Sequence, residues 1–468
     1  MKPITIPNIS IPTIGIPTIG IPSVGFPSAS GGGGLSWPAG MKEHIKAWYD
    51  PKKQGMTNYD VIEAYTEDFS KNPWNNKTEK YVGNLTSKTL TVTEVLVRSA
   101  LIYTNIKPYN FKVRITGLIN NQKVIFGDDT SQYRALIVDK DGIYDINWED
   151  NHNAYCIWID FIGECNITIA QLPTSILKDF SGNGNHAYLY GGKGKLNSGM
   201  GLYKVDFTSW RKSSVQTEVK PDVVKVTPNT SNYLFIQYAN SVEIPSYKIK
   251  VIGLGDNVLK YQYATENGRK EINIVEGENE LPTSIKVSND YQIGYRLTPG
   301  TSVFTITQIP DYPDQLCYDG KMYAVCYGFP ILTDYTVMAE RTWFESGPYC
   351  AFISNRDDDI PENKRGAFVF EQLNGGVQGT SSFGSIPSIN FVSEKISWQT
   401  KESYNGKSIG FGSNISSNPV IVVGAGVYYT NSDGVASYAN LCHGAIIIAD
   451  RSFTEEEINW LKQNWDKI

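Results

Sequence analysis

The chain has 468 residues, enough for about three globular domains. Its 42 Lys and Arg against 48 Asp and Glu leave a formal charge of −6 at pH 7, so there is no basic field to hold nucleic acid or an anionic membrane surface. Charged residues at 19 %, aromatics at 12 %, and 42 Gly with 23 Pro exclude a coiled coil or a large helical bundle and predict an all-β chain rich in turns.

No stretch approaches the ~18 apolar residues of a membrane span, so membrane insertion is not expected. Pro3, Pro7, Pro12, Pro17 and Pro22 interrupt any continuous apolar run at the start, which is unlike a secretory signal. Residues 6–30 instead repeat every five positions, with Ile6, Ile11, Ile16, Ile21 and Phe26 each followed by proline. Proline removes a backbone donor and fixes φ, and it pushes the preceding residue to extended conformations, so neither a helix nor a central strand continues here. Two readings are open: an elastin-like disordered leader, or an extended stalk whose Ile rows pack against other copies or a larger assembly. Gly31–Gly34 then form a hinge, and residues 1–34 are assigned as stalk or anchor.

Beyond the hinge the sequence repeats itself. Asp68-Phe69 with Trp74 recurs as Asp206-Phe207 with Trp210, Phe111–Leu118 as Tyr247–Leu254, and Thr168–Pro173 as Thr305–Pro310. The copies lie 138, 136 and 137 residues apart, and so near-constant a spacing implies two versions of one module. Phe111, Val113 and Ile115 alternate with Lys112, Arg114 and Thr116, and Tyr247, Ile249 and Val251 alternate with Lys248 and Lys250, giving each strand one buried and one wet face. Asn120-Asn121, Gly127-Asp128, Asp141-Gly142 and Asn267-Gly268 are read as turn signals between short strands. Module one is placed at 80–173 and module two at 215–310, each a small antiparallel sandwich.

The remainder, 311–468, is also β, with strand-like runs at Tyr335–Ala339, Gly366–Phe370 and Val420–Val423. One helix closes the chain. Thr454 and Glu457 form a capping box, Phe453 and Ile458 a hydrophobic staple, and Ile458, Leu461 and Trp465 share one face.

Chemistry-bearing motifs are sparse. Six cysteines are too few for a disulfide scaffold, and Cys156/Cys165 and Cys317/Cys326, each nine apart, match no zinc spacing. They read as small buried hydrophobes of a reducing compartment. Only His44, His152, His186 and His443 are available, and neither a Gly-x-Ser-x-Gly elbow nor a phosphate loop occurs. Asp179 and Asn183, and Asp357 and Asp359, carry oxygens at spacings from which Ca²⁺ is sometimes held, although hairpin turns use the same residues; no cofactor is otherwise expected. Sugar binding needs flat aromatic faces beside planar polar groups. Trp343, Tyr349, Tyr404, Asn405, Tyr428 and Tyr429 offer both in turn-like stretches, against the alternative that such aromatics are core.

Asp179-Phe180-Ser181-Gly182-Asn183-Gly184-Asn185 resembles the turn near the start of laminin-G-like, concanavalin-A-like jelly rolls. Ile448–Ile458 resembles their closing strand and helix. With Trp48–Pro51 and Gln54–Asn58, the set is similar to large virion proteins of tailed phages of gut bacteria, crAss-like phages among them. The resemblance implies one discontinuous jelly roll drawn from 35–79, 174–214 and 311–468, with the two modules inserted. It implies a virion fibre protein that binds host surface polysaccharide, meets other virion proteins through its N-terminal segment, and forms a homo-oligomer, a trimer first. A decoration protein that binds no sugar and a bacterial surface adhesin are the alternatives. The Glu-x-Asp-x-x-Glu strand of concanavalin-like glucanases is missing, so no enzyme is expected.

Overall fold

The computed structural model describes residues 35–70, 74–76, 82–86, 88–94, 99–104, 110–119, 121–128, 134–147, 156–162, 166–194, 197–212, 216–228, 233–345, 349–361, 364–374, 377–381, 395–408, 418–432 and 434–468. The Ile-Pro repeat lies outside them. The fold is all-β: one large sandwich interrupted by two small ones, with antiparallel ladders throughout its named strands.

The large sandwich draws its strands from three separated stretches. Its longest strand, Asn440–Ala449, pairs with Thr336–Glu345 on one edge and with Ile45–Tyr49 and Leu316–Asp319 on the other, inside an eight-stranded sheet. The facing seven-stranded sheet runs in the order 176–177, 187–190, 323–327, 420–423, 351–354, 369–374, 377–381. Ala47, Leu316, Ala339, Ile446 and Ile448 from the first sheet meet Leu189, Ala324, Phe352 and Ile421 from the second, and this apolar layer holds the two sheets together. Strands buried on both faces lose alternation, as in Val420–Val423, where all four residues are buried.

The outer face of the eight-stranded sheet carries the predicted helix, α2 (Glu455–Asn464), the longer of two α-helices among the described residues. The other, α1 (Pro51–Gln54), is one turn capped by Asp50. Thr454 Oγ1 accepts from the Glu457 amide and the Glu457 carboxylate accepts from the Thr454 amide at 2.8 Å, satisfying both orphan donors. Phe453, Ile458, Leu461 and Trp465 then bury against Trp48, Met338, Trp398 and Ile447.

Each small sandwich has ten described strands, from Trp74–Asn76 to Ile167–Gln171 in module one and from Arg211–Lys212 to Phe304–Ile309 in module two. Counted along each module, the strands form sheets of order first-fourth-ninth-sixth-seventh and second-third-tenth-fifth-eighth, identically in both. The duplication read from three short motifs is therefore a duplication of topology. The recurring glycines explain one of those motifs. Gly117 has φ +92° and its amide donates to the Asp141 carboxylate at 3.0 Å, with Leu118 alongside at 2.8 Å. Gly253, at φ +84°, and Leu254 donate to Glu276 at 2.9 and 2.7 Å. A Cβ would fall 2.1 Å from the Asn166 carbonyl oxygen in module one and 2.8 Å from that of Val303 in module two, so both the dihedral and the close approach demand glycine.

One turn assignment fails. Gly127-Asp128 lies inside the strand Lys123–Asp128 and pairs with Cys156–Ile162, because the ladder partner fixes this backbone whatever the turn propensity of Gly and Asp.

Candidate functional site

The two modules differ in what their outward faces meet. In Phe111–Thr116 the outward residues Lys112, Arg114 and Thr116 are half-buried, whereas Lys248, Lys250 and Ile252 at the equivalent positions of module two are exposed. Module one lies over the seven-stranded sheet of the large sandwich, and Leu172 with half-buried Ile143 packs beside Tyr188, Val325, Val420 and Tyr428.

Along that seam a groove of about 350 Å³ stays open, toward the lower end of the roughly 300–1,000 Å³ found for ligand sites. Its module-one wall is a ladder of short polar side chains, Thr89, Thr91, Thr116 and Thr168, flanked by Lys88 and Arg114. Register explains the alignment: Thr168 sits opposite Thr91 on one neighbour and Thr116 on the other, and Ala170 opposite Thr89 and Arg114. The opposite wall is aromatic. Tyr190 and Tyr323 stack at 5.0 Å between centroids and 11° between planes, and the Tyr190 and Tyr327 hydroxyls are 3.0 Å apart. Tyr428 packs edge-on beneath Tyr327, and the Arg114 guanidinium lies 4.7 Å from the Tyr327 ring centre. Tyr323 and Tyr327 are half-buried and reach the opening, while Tyr190 and Tyr428 form the floor.

The rim is set by the hairpin Val427–Tyr429/Gly434–Ala436, and the acidic loop predicted as a Ca²⁺ candidate holds it in place. Asp357, fully buried, accepts from the Thr430 amide at 3.3 Å and from its hydroxyl, and also caps the Asp359 amide at 3.0 Å. Asp359 accepts from the Asn431 amide at 2.7 Å. These carboxylates are occupied as turn staples.

The other Ca²⁺ candidates are also staples. Asp179, 5 % exposed, accepts from the amides of Trp48, Ser181 and Asn185 at 2.9, 2.8 and 3.0 Å and from the Ser181 hydroxyl at 2.8 Å. Asn183 donates to the Ile45 carbonyl at 2.8 Å and Asn185 to that of Lys46 at 2.7 Å, so the loop fastens the strand Ile45–Tyr49. No group of three His, Cys, Asp or Glu suited to a metal occurs among the described residues.

The six glycan candidates do not converge. Tyr404 is 1 % exposed and donates to Glu371 at 2.7 Å, and Trp343 Nε1 donates to the same carboxylate at 2.9 Å. Both belong to a charged knot inside the large sandwich, where Arg341 Nε lies 2.9 and 2.7 Å from the two Glu371 oxygens and Ser397 also donates. The Tyr404 ring is closed to a sugar, whereas Trp343 is half-buried at the edge of the same core. Asn405, at φ +46°, caps the Trp398 amide in a turn. Tyr349 is 57 % exposed at φ +63°, apart from the groove, and Tyr429 is half-buried on the hairpin. Tyr428 alone lines the groove. Sequence reasoning missed Tyr190, Tyr323, Tyr327 and the threonine ladder, whose visible signal was alternating Thr and Arg on strands treated as simply wet.

Cys317, Cys326 and Cys442 are free and buried, and Cys350 is free and half-buried. His186 Nδ1 accepts from the Asp179 amide at 2.9 Å, while fully buried His443 stacks on Tyr318 at 5.3 Å. In a second depression, lined by Trp465 and Asp466 just after α2, Glu340 accepts from Gln315, Lys395 and Trp465.

No protein-family profile and no curated protein matches the chain. Among solved structures, it is similar at 10 % identity and a TM-score of 0.16 to the M60 catalytic domain with two CBM51 domains of Clostridium perfringens ZmpB, covering 53 % of this chain and 37 % of that one. A Trypanosoma rangeli sialidase matches at 9 % identity and a TM-score of 0.20 over 84 % of this chain and 86 % of its own, and a Lactobacillus farciminis oxalate decarboxylase at 9 % and 0.13 over 54 % and 89 %. Superpositions this poor carry no argument about what the chain does.

Proposed function

We propose that this chain is a phage virion fibre protein whose groove between module one and the large sandwich holds a host-surface saccharide. The observation that carries the binding reading is the pairing of two unlike walls. A pyranose has a C–H-rich face and a rim of hydroxyls. Tyr323 and Tyr327 offer ring surface to the first, and the threonine ladder with Asn431 and Ser432 offers donors and acceptors to the second. The virion reading is supported by the Asp179–Asn185 and Ile448–Ile458 motifs within an all-β display architecture. In that reading the Ile-Pro segment joins the chain to other virion proteins or to sister chains, in trimers.

A glycan array probed with the full chain and with Tyr327→Ala tests the binding. The expected result is a saccharide retained by the parent and lost, at least tenfold, by a variant with unchanged circular dichroism. Absence of binding on host capsule and array alike overturns it and leaves the groove as a seam between packed domains, the reading of a purely structural protein.

A further inference from the structure

We infer that Cys317 and Cys442 form an oxidation site: a hydroperoxide closes the two thiols into a cross-strand disulfide that fastens the large sandwich where the chain returns from module two. The inference is independent of what the groove holds. Both cysteines are free and fully buried, and they are direct partners in the ladder between Leu316–Asp319 and Asn440–Ala449. Leu316, Tyr318 and Leu441 belong to the layer between the two sheets, so by alternation Cys317 and Cys442 both point to the outer face.

The hydrogen-bond phase of the ladder sets how near the thiols come. The Gly320 amide donates to the Ala439 carbonyl, which makes that pair a hydrogen-bonded one; three steps along the alternating ladder, Cys317 and Cys442 are a non-hydrogen-bonded one. The other edge of the strand agrees. There the Gly201 amide donates to the Gln315 carbonyl at 2.7 Å, so Cys317 directs its backbone groups at Gly199 and none at Cys442. Partners in a non-hydrogen-bonded pair have Cα atoms about 4.5 Å apart and side chains at their closest, within the roughly 4.4–6.8 Å that a disulfide spans. Each thiol donates sideways, Cys317 to the Gly201 carbonyl at 2.9 Å and Cys442 to Gln315 Oε1 at 2.8 Å, and such weak donors are given up easily. Gln315 and Tyr312, the latter near both thiols, are half-buried and line the depression just after α2, which gives a small oxidant its approach.

Hydrogen peroxide is close to water in size. One cysteine thiolate attacks a peroxide oxygen, the O–O bond breaks, and the departing hydroxide takes up the thiol proton as water, leaving a sulfenic acid. The second sulfur attacks that sulfur, the S–O bond breaks, and the hydroxyl leaves as water with the remaining thiol proton. Two thiols and one peroxide thus give one disulfide and two waters. The neighbouring thiol and burial hold Cys317 well above the ordinary thiol range, so thiolate is scarce and closure is slow near neutral pH and faster in alkali. The bond closes a loop of about 125 residues that includes five of the seven strands of the facing sheet, a long loop whose closure strongly restricts the unfolded chain.

The test oxidises the folded full chain with hydrogen peroxide, removes the excess with catalase, alkylates in denaturant and maps unreduced peptides by mass spectrometry. The expected outcome is a linked peptide pair carrying Cys317 and Cys442, separated by reductant and formed faster at alkaline than at neutral pH. Hydrogen exchange in peptides covering Leu316–Asp319 and Asn440–Ala449 then slows about tenfold or more, while module-two peptides do not change. In Cys317→Ser, Cys442 is recovered as alkylated thiol, and Cys442→Ser leaves Cys317 likewise; should either variant unfold, the linkage in the parent decides. Recovery of both cysteines alkylated, sulfinic or sulfonic acid on either, or the scrambled pairings of the denatured chain overturn the inference. A link without slowed exchange overturns the fastening role.

Discussion

Glu371 is fully buried, sits at φ +55° at a register shift between Val369 and Gln372, and gathers Arg341, Trp343, Ser397 and Tyr404. Arg341 is 4 % exposed, so both charges have left water and each depends on the other. Replacing Arg341 with Met strands a carboxylate in the core, and Glu371→Gln strands a guanidinium; each costs about 3–5 kcal/mol. The double variant removes both charges and costs less than the sum, with a coupling of at least about 2 kcal/mol. Three cores in one chain make a single melting midpoint ambiguous, so hydrogen exchange by mass spectrometry is the suitable assay. A loss of 3 kcal/mol accelerates exchange in peptides covering Thr336–Glu345 about a hundredfold, while module-two peptides serve as an unchanged control. Additive effects, or single variants within threefold of the parent, refute the view that the knot is an interdependent pair.

Gly117→Ala and Gly253→Ala each force a methyl group onto a carbonyl oxygen at an unfavourable φ. Each should loosen its own module by more than about 2 kcal/mol and leave the other's exchange untouched. Burial pushes the His443 imidazole down to about 4, and its hydrogen bond to the Gly444 carbonyl only partly opposes this. The unfolded chain, with a pKa near 6.5, therefore binds the proton first. Stability from the neutral ring is complete above pH 6.5 and falls by about 3 kcal/mol toward pH 4, and His443→Gln should flatten that slope in jelly-roll peptides. Asp179→Ala removes the acceptor of four hydrogen bonds and should destabilise the large sandwich by about 2–4 kcal/mol. Chelation with EDTA should not reproduce that loss in the parent, and a matching loss would restore the Ca²⁺ reading.

Much of the fold was legible because its signals are local or periodic. Phe111, Val113 and Ile115 announce a half-buried strand, Thr454 and Glu457 announce a helix start, and constant spacing announces the repeat. The groove was not legible for a physical reason. Thr91, Arg114 and Thr168 look like any wet face until module one lies on Tyr323 and Tyr327, and that docking depends on residues some 200 positions away. The aromatic candidates suffered the opposite error. Trp343 and Tyr404 read from sequence as parts of turn-like stretches suited to a binding loop, but Trp343 lies in the strand Thr336–Glu345 and both donate to the buried Glu371 carboxylate, whose burial cannot be seen in one sequence. Asp357 and Asp359 were singled out for their charge, whereas their use is to hold the Thr430–Asn431 rim.

The pairing of Ile45–Tyr49 with Ile446–Ala449 sets the order in which the chain folds during synthesis. Each module closes on partners within about a hundred residues: Gln171 grips the Glu67 backbone on both amide atoms and Gln308 does the same to Val205. Module one can thus mature while the ribosome is still translating its sister. The first strand of the large sandwich must wait about 400 residues for its neighbour, roughly 20–80 s at 5–20 residues per second. Through that interval the Asp179–Asn185 loop is the nearer support for the strand, tied to it through Trp48, Ile45 and Lys46. The ladder edge that will meet Ile446–Ala449 stays open meanwhile, the kind of edge that invites pairing with another strand.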